Sequence, residues 1–380
     1  MMVTSPDDHH DGAVNVMIIP SVSGGLGHVT RTLKLARGLE RADPSLRVIY
    51  GLDEVGLRPI NQEAISRSGF PLRVIPNPVR HERDERIRAT LGDIDVVIED
   101  TNRRLVAHRP LLPRLRAWIS LPMLPIWDDL HMDWPLLEHV DCILYAYPAV
   151  IPVPEELDRF RDKLTVTGPI LDPEEMPGRA EARHRLGLDQ SARYIIYAPR
   201  GFPFGQWFGR RVLSGVVGGY ARLARTQPDV QLLLTAVPDL AAVQPPRLPP
   251  LDQIDGVSVW GTLSPEQGRD SVAAADLVIV EGTTTLFDAA TAGTPVLMVP
   301  GLIYETALEG TLVDEHGAGI VMRPEEVTAR TMATNMRRAL DPALSGQRVE
   351  RLRTLVGPGG RDAAVSAICR VIEERVRLAR

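Results

Sequence analysis

Short apolar runs that are continuous rather than alternating constrain this chain more than any other feature. "VNVMIIP", "LRVIYG", "LRVI", "IDVVIED", "WISLP" and "CILYAYP" follow one another through its first part. Between several of them lie stretches of helical period, over residues 29–41, within 54–68 and near 80–91. A strand that is apolar on both faces must be covered on both, as a parallel strand flanked by helices is. The alternation therefore predicts a doubly wound α/β sheet. Near the middle, "LTVTGPILDPEEMPGRAEARHRLGL" interrupts it with a Gly-Pro turn and a proline-rich acidic stretch, the texture of a passage between domains. The pattern then restarts with "YIIYAP", "QLLLTAV", "VSVWG", "LVIVEG" and "PVLMVP", separated by helices over 211–226, 264–274 and 283–292. Two Rossmann-like, doubly wound domains facing a central cleft are expected. The first spans 13–165 and the second 166–360, and 361–380 forms one amphipathic helix that packs back toward the first domain.

Composition narrows the class. The chain of 380 residues is 44% hydrophobic and 24% charged, enough to build real cores in a soluble globular protein. Its net charge of −6 gives no reason to expect nucleic acid as a partner. Cys142 and Cys369 stand far apart and offer neither a ligand cluster nor a disulfide framework. No apolar run reaches the roughly 18 residues a membrane span needs, and the start "MMVTSPDDHHDG" is polar and acidic rather than signal-like. A cytoplasmic protein is the expectation. His9 and His10 among Asp7, Asp8 and Asp11 read as a solvated tail rather than a metal site.

Two strand-to-helix turns carry residue types suited to chemistry. In "IIPSVSGGLGHVTRTLKLARGL", Gly24, Gly25 and Gly27 let the backbone approach a ligand, and His28 and Arg31 open the helix that follows. A helix N-terminus there offers unpaired N–H groups and a partial positive charge. The turn matches neither a dinucleotide fingerprint nor a P-loop, and His28 could equally be a capping or packing residue. In "LVIVEGTTTLFDAATAGTPVLMVP", Gly282 opens a turn and Thr283, Thr284 and Thr285 begin a helix, a fitting phosphate cradle. Asp288, one and a half turns on, could accept two hydrogen bonds from a ribose. Taken alone, Thr283 would simply cap the helix and Asp288 would be solvated surface. Having one such turn per domain, each at the carboxyl end of a strand, favours a ligand in the cleft between them.

These same residues bear a family likeness. "SGGLGHVTRTLKLARGL" resembles the first glycine loop of GT-B glycosyltransferases, and the segment from "VSVWGTLSPEQ" through "GAGIVM" resembles their nucleotide-sugar region. Both segments are similar to those of the undecaprenyl-pyrophosphoryl-muramoylpentapeptide N-acetylglucosaminyltransferases and the macrolide and glucuronosyl UDP-glycosyltransferases. Their Gly-x-x-Thr-x-x-Glu pattern has its counterpart in Gly282, Thr285 and Asp288, and "VTGPI" looks like the entry to their second domain. The resemblance implies sugar transfer from a nucleoside-diphosphate sugar to an acceptor hydroxyl, with inversion. Gly282, Thr283 and Thr284 would meet the diphosphate, and Asp288 the ribose. Gly261, Thr262 and Leu263 would present backbone to the base, and Arg200 would face the phosphates. His28 would be the general base and Asp100 the carboxylate that orients it. Where relatives carry an acid-Gln pair followed by Asn-Ala, "YETALEG" gives Glu305 and then Thr306, with Glu309 in the Asn place, so Glu305 is the remaining candidate for sugar hydroxyls. "PRGFPFG" replaces their Gly-Gly-Ser-like turn, and Arg31 replaces a residue often apolar or proline, which suits a charged acceptor.

The same fold also implies rivals, a nucleotide-sugar 2-epimerase and a nucleotide-sugar hydrolase in which His28 would activate water. No cofactor and no metal are expected, the nucleotide sugar being substrate. The Asp-x-Asp match at Asp93 and Asp95 leads into an apolar run away from the phosphate turn. In "LPMLPIWDDLHMDWPLLEHV", Trp127 and Trp134 read as core fillers of a turn. The alternative is docking of a lipid-linked acceptor at a membrane surface, with His131 a candidate acceptor contact.

Overall fold

The computed structural model describes residues 13–21, 26–54, 57, 59–76, 83–101, 103–124, 134–199, 206–235, 249–261 and 263–378. Its first sheet contains β1 (Val14–Pro20), β2 (Leu46–Asp53), β3 (Leu72–Ile75), β4 (Val96–Asp100), β5 (Ala117–Leu121), β6 (Cys142–Tyr145) and β7 (Leu164–Val166). These lie in the order β3-β2-β1-β4-β5-β6-β7, every pair parallel. The helices α1 (Gly27–Ala42), α2 (Pro59–Ser68) and α3 (Arg83–Leu91) belong to this half. The second sheet contains β8 (Arg193–Ala198), β9 (Val230–Thr235), β10 (Val257–Gly261), β11 (Leu277–Val280), β12 (Val296–Met298) and β13 (Ile320–Val321). Its order is β10-β9-β8-β11-β12-β13, again all parallel. With it come α4 (Arg179–Arg185), α5 (Gln206–Ala224), α6 (Pro265–Ala274), α7 (Thr284–Ala292), α8 (Tyr304–Glu315), α9 (Ala329–Ala339), α10 (Pro342–Val356) and α11 (Arg361–Ile372).

Both sheets are doubly wound, and the strand order reverses between β1 and β4 in one and between β8 and β11 in the other. At such switch points the flanking loops part and leave a crevice off the carboxyl ends of the strands. The continuous apolar runs follow from coverage on both faces. In β1, Val14, Val16 and Ile18 join the core under α1, whereas Met17 and Ile19 join the core on the other face. The strand that opens the expected interdomain passage is β7, whose last residue, Val166, pairs with Tyr145 of the first sheet.

Ala364, Val365, Ala367, Ile368 and Ile372 of α11 belong to the same core as Val16 and Ile18, so the end of the chain completes the first domain. The approach is close: a Cβ on Gly38 of α1 would lie 2.8 Å from Val365 Cγ2. The single C-terminal helix expected from sequence instead ends at Ile372 and continues as a π-helical turn over Glu373–Arg377. That turn delivers Arg377, which donates from Nη2 to Asp43 Oδ2 at 2.6 Å, just past the end of α1. Among the described residues, no helix is long and apolar enough to cross a membrane.

Candidate active site

The site starts where α1 does. The helix begins at Gly27, two residues before the apolar periodicity places it, and this sets His28 in its first turn. Asp100 closes β4 beside Pro20 of β1 and is fully buried. His28 Nδ1 lies 2.9 Å from Asp100 Oδ1. Thr101 donates its hydroxyl to the same oxygen at 3.0 Å, Arg31 Nε donates to Oδ2 at 2.9 Å, and Arg31 Nη2 donates to Oδ1. Burial alone would raise the pKa of Asp100; Arg31 and His28 outweigh it and hold the carboxyl well below the usual carboxylate range. Burial likewise opposes the charge on Arg31, and Asp100 more than restores it. An ionised carboxylate can only accept, so the hydrogen on Nδ1 of His28 is assigned to the bond with Asp100. The 3.4 Å approach of Arg31 Nη2 to that nitrogen is then a contact between two donors. Nε2 keeps its lone pair, which is what a general base requires.

The second turn meets the first. Gly282 has φ 140°, and a Cβ there would lie 2.5 Å from Thr306 Cγ2, so backbone and packing both require glycine. Thr283 follows at φ 53° and makes no side-chain cap; its N–H donates instead to Glu309 Oε2 at 2.7 Å. Capping by the Thr283 hydroxyl is therefore replaced by capping with a carboxylate, which the positive end of α7 attracts. The next N–H groups of α7 have no intrahelical acceptor by the geometry of a helix start. Among the described residues, Thr101 and Thr283 are the two non-glycine residues with positive φ, and they sit at the ends of β4 and β11. Such backbone costs energy and persists only where its surroundings impose it. The two helix starts abut: a Cβ on Gly27 would lie 3.0 Å from Thr284 Oγ1.

Asp288 is not solvated surface. It is 8% exposed and accepts a 2.7 Å bond on Oδ1 from Lys34 Nζ of α1, across the cleft. Glu305, buried at the start of α8, accepts from the Tyr147 hydroxyl at 2.7 Å, and that hydroxyl accepts the Leu124 N–H at 2.9 Å. Burial and then Glu305 push the Tyr147 phenol far above its ordinary range, so it stays protonated and donates. Gly261 ends β10 at φ 61°, and Leu263 follows half-buried. Gly24, Gly25, Arg200 and Thr262 lie outside the described residues, as do Trp127 and His131.

Sequence reasoning missed the seam between the domains. His28, Arg31, Lys34, Arg37 and Arg41 recur every three or four residues, one polar face of α1. Arg37 donates to Glu266 at 2.7 Å, and Arg41 lies 3.3 Å from Glu175 in the interdomain passage. Glu175 also accepts from Arg269 at 2.7 Å, and Arg361 of α11 donates to Asp172 and Glu174. The spacing was visible in the sequence; the acidic partners across the seam, 131 to 254 positions away along the chain, were not. Asp95 directly precedes the other end of β4, about 17 Å from Asp100 at the rise of a strand, and Asp93 lies two residues before it. Asp93 holds Arg73 through two bonds of 2.6 and 2.8 Å, and Asp95 accepts from Asn15 N–H and Arg114.

No protein-family model matches the chain. It is 24% identical over 233 residues to an uncharacterized glycosyltransferase of Methanopyrus kandleri, a match covering 58% of this chain and 60%, under two thirds, of that protein. Over 336 residues it is 24% identical to the UDP-N-acetylglucosamine–N-acetylmuramyl-(pentapeptide) pyrophosphoryl-undecaprenol N-acetylglucosamine transferase of Streptomyces coelicolor, covering 84% of this chain and 88% of that one. Among solved structures, the glycosyltransferase of kitacinnamycin superposes with a TM-score of 0.62 at 18% identity, covering 95% of this chain and 99% of that one. A putative UDP-N-acetylglucosamine 2-epimerase from Listeria monocytogenes gives 0.65 at 13%, covering 96% and 98%. The chain has the GT-B fold, two Rossmann-like domains closed on a cleft, and resembles glycosyltransferases of that fold.

Proposed function

We propose that this chain is an inverting, metal-independent glycosyltransferase that moves a sugar from a uridine or thymidine diphosphate sugar to an acceptor hydroxyl. The observation that carries the reading is the His28–Asp100 pair, 2.9 Å apart, set against the start of α7 in the other domain. The acceptor oxygen attacks the anomeric carbon while His28 Nε2 takes its proton, and the bond to the diphosphate breaks on the opposite face. Charge gathering on the leaving diphosphate is met by the N–H groups of Thr284 and Thr285 and by the positive end of α7. Asp288 supplies a carboxylate for the ribose, and Glu305 one for sugar hydroxyls. Asp93 and Asp95 already serve Arg73, Arg114 and Asn15 at the far end of β4, which argues against their holding a metal on the diphosphate.

The fold is shared with an epimerase, but the two curated sequence relatives are both named transferases, one with a lipid-linked acceptor in its name. A small-molecule or lipid-linked acceptor at the cytoplasmic face is the corresponding expectation. A thermal-shift panel of nucleoside diphosphates and their sugars tests the donor site. A ligand at about 100 times its Kd stabilises the fold by about 2.7 kcal/mol, so uridine or thymidine diphosphate should raise Tm clearly. Asp288→Ala should weaken nucleotide binding by about 1–3 kcal/mol, as loss of a buried polar partner does. Indifference of Tm to every nucleotide would overturn the donor site.

A further inference from the structure

We infer that Arg31 is a positioning residue for the base: it fixes the carboxylate of Asp100 through both oxygens, so that His28 is held in the tautomer with hydrogen on Nδ1. The inference rests on the transferase reading for its purpose, but not for its geometry. Arg31 stands where a charged acceptor could have been met, yet its Nε and Nη2 are engaged with Asp100, and its side chain is only 13% exposed. Nε and one Nη form a planar fork that matches the two oxygens of a carboxylate. Facing the cluster among the described residues are Thr101 after β4, Tyr147 after β6, Thr284 at the start of α7 and Glu305 at the start of α8. Among the described residues, Arg31 is the permanent cation bonded to Asp100.

Its absence would change what Asp100 is. A carboxyl group buried without a cation favours its neutral form. A neutral Asp100 can donate, and its nearest ring acceptor is Nδ1 of His28 at 2.9 Å. The proton on the imidazole would then sit on Nε2, and the nitrogen turned to the cleft would lose its lone pair. The pair would still be hydrogen-bonded and would look intact in coordinates, but it could not accept a proton from a hydroxyl. Arg31 thus acts on the base through the state of Asp100, without touching substrate.

The test reads the tautomer directly, in the full-length chain without substrate. Proton and nitrogen NMR of histidine side chains, with His28 identified among the nine histidines by His28→Gln, should show a downfield Nδ1–H in the parent. Arg31→Lys, which keeps the charge but not the fork, should retain a weakened signal. Arg31→Met should lose it and show Nε2–H instead, while affinity for uridine diphosphate by calorimetry stays within a few-fold. If Arg31→Met does not fold, Arg31→Gln, polar and uncharged, should show the same switch. Persistence of the Nδ1–H signal in the folded uncharged variant, or its absence from the parent, would overturn the inference. Turnover provides a second readout, with kcat falling about 100-fold, the usual worth of a general base, at little change in donor KM. Failure to transfer any sugar would count against the proposed function alone, because the tautomer is measured without it.

Discussion

At the scale of single residues, the account turns on charge held out of water. Asp100 is fully buried and its pKa is depressed. A depressed carboxylate stabilises the fold above its unfolded value near 4 and loses that contribution as pH falls through the folded value. The His28–Asp100–Arg31 cluster should therefore survive well below pH 4, visible as an Asp100 carboxyl signal that has not titrated where exposed carboxylates have. Arg31→Met should bring that titration up in pH. His28→Ala should reduce turnover about 100-fold or more while nucleotide affinity is unchanged, since a base contributes that much to the chemical step; turnover within a few-fold of the parent would make His28 structural. His28 and Asp100 were nameable from sequence through the likeness to a family. The partner of Arg31 was not, because nothing local to α1 announces an acid 69 residues away. Glu309 was legible only as a departure from the pattern, and its place on the Thr283 N–H depends on how α8 packs against α7.

At the scale of elements, the first domain is completed from the far end of the chain. Ending the chain before Arg361 removes Ala364, Val365, Ile368 and Ile372 from the core of β1 and α1. Such a truncation should leave the first domain unable to unfold cooperatively, checked by circular dichroism and calorimetry. A subtler version is Gly38→Val, whose added atoms fall where Val365 Cγ2 already lies 2.8 Å from a Cβ. Overpacking of this kind costs about 1–3 kcal/mol, which should appear as a lower Tm with the donor site intact. The strands were legible because a run apolar on both faces has few other homes, and "VNVMIIP" and "LVIVEG" both proved central. Boundaries were less so. The π-helical turn at Glu373–Arg377 keeps the amphipathic pattern of a plain helix, and only the position of Asp43 gives it a reason.

At the scale of the whole molecule, α1 carries a row of ion pairs between the two domains, beside the bond from Tyr147 to Glu305. Lys34, buried with Asp288 at 2.7 Å, is the innermost pair of that row, and Arg37 with Glu266 lies farther out. Removing one partner of a buried pair typically costs about 3–5 kcal/mol, but here the stranded carboxylate can regain water if the cleft opens. Lys34→Met should accordingly raise the radius of gyration in solution scattering rather than unfold the protein, and uridine diphosphate should no longer restore the compact form fully. An unchanged radius would mean the pair does not govern closure. The same helix carries His28, so in the proposed reaction closure on Asp288 and placement of the base would move together. The measurement that bears most directly on the central claim follows a labelled uridine diphosphate sugar in excess EDTA, with a panel of hydroxyl acceptors, for the parent and for His28→Ala. The account predicts label on an acceptor with its anomeric configuration inverted, and its near disappearance in the variant. Label recovered only as free sugar, as a C2 epimer still on its nucleotide, or only after magnesium or manganese is restored would contradict it.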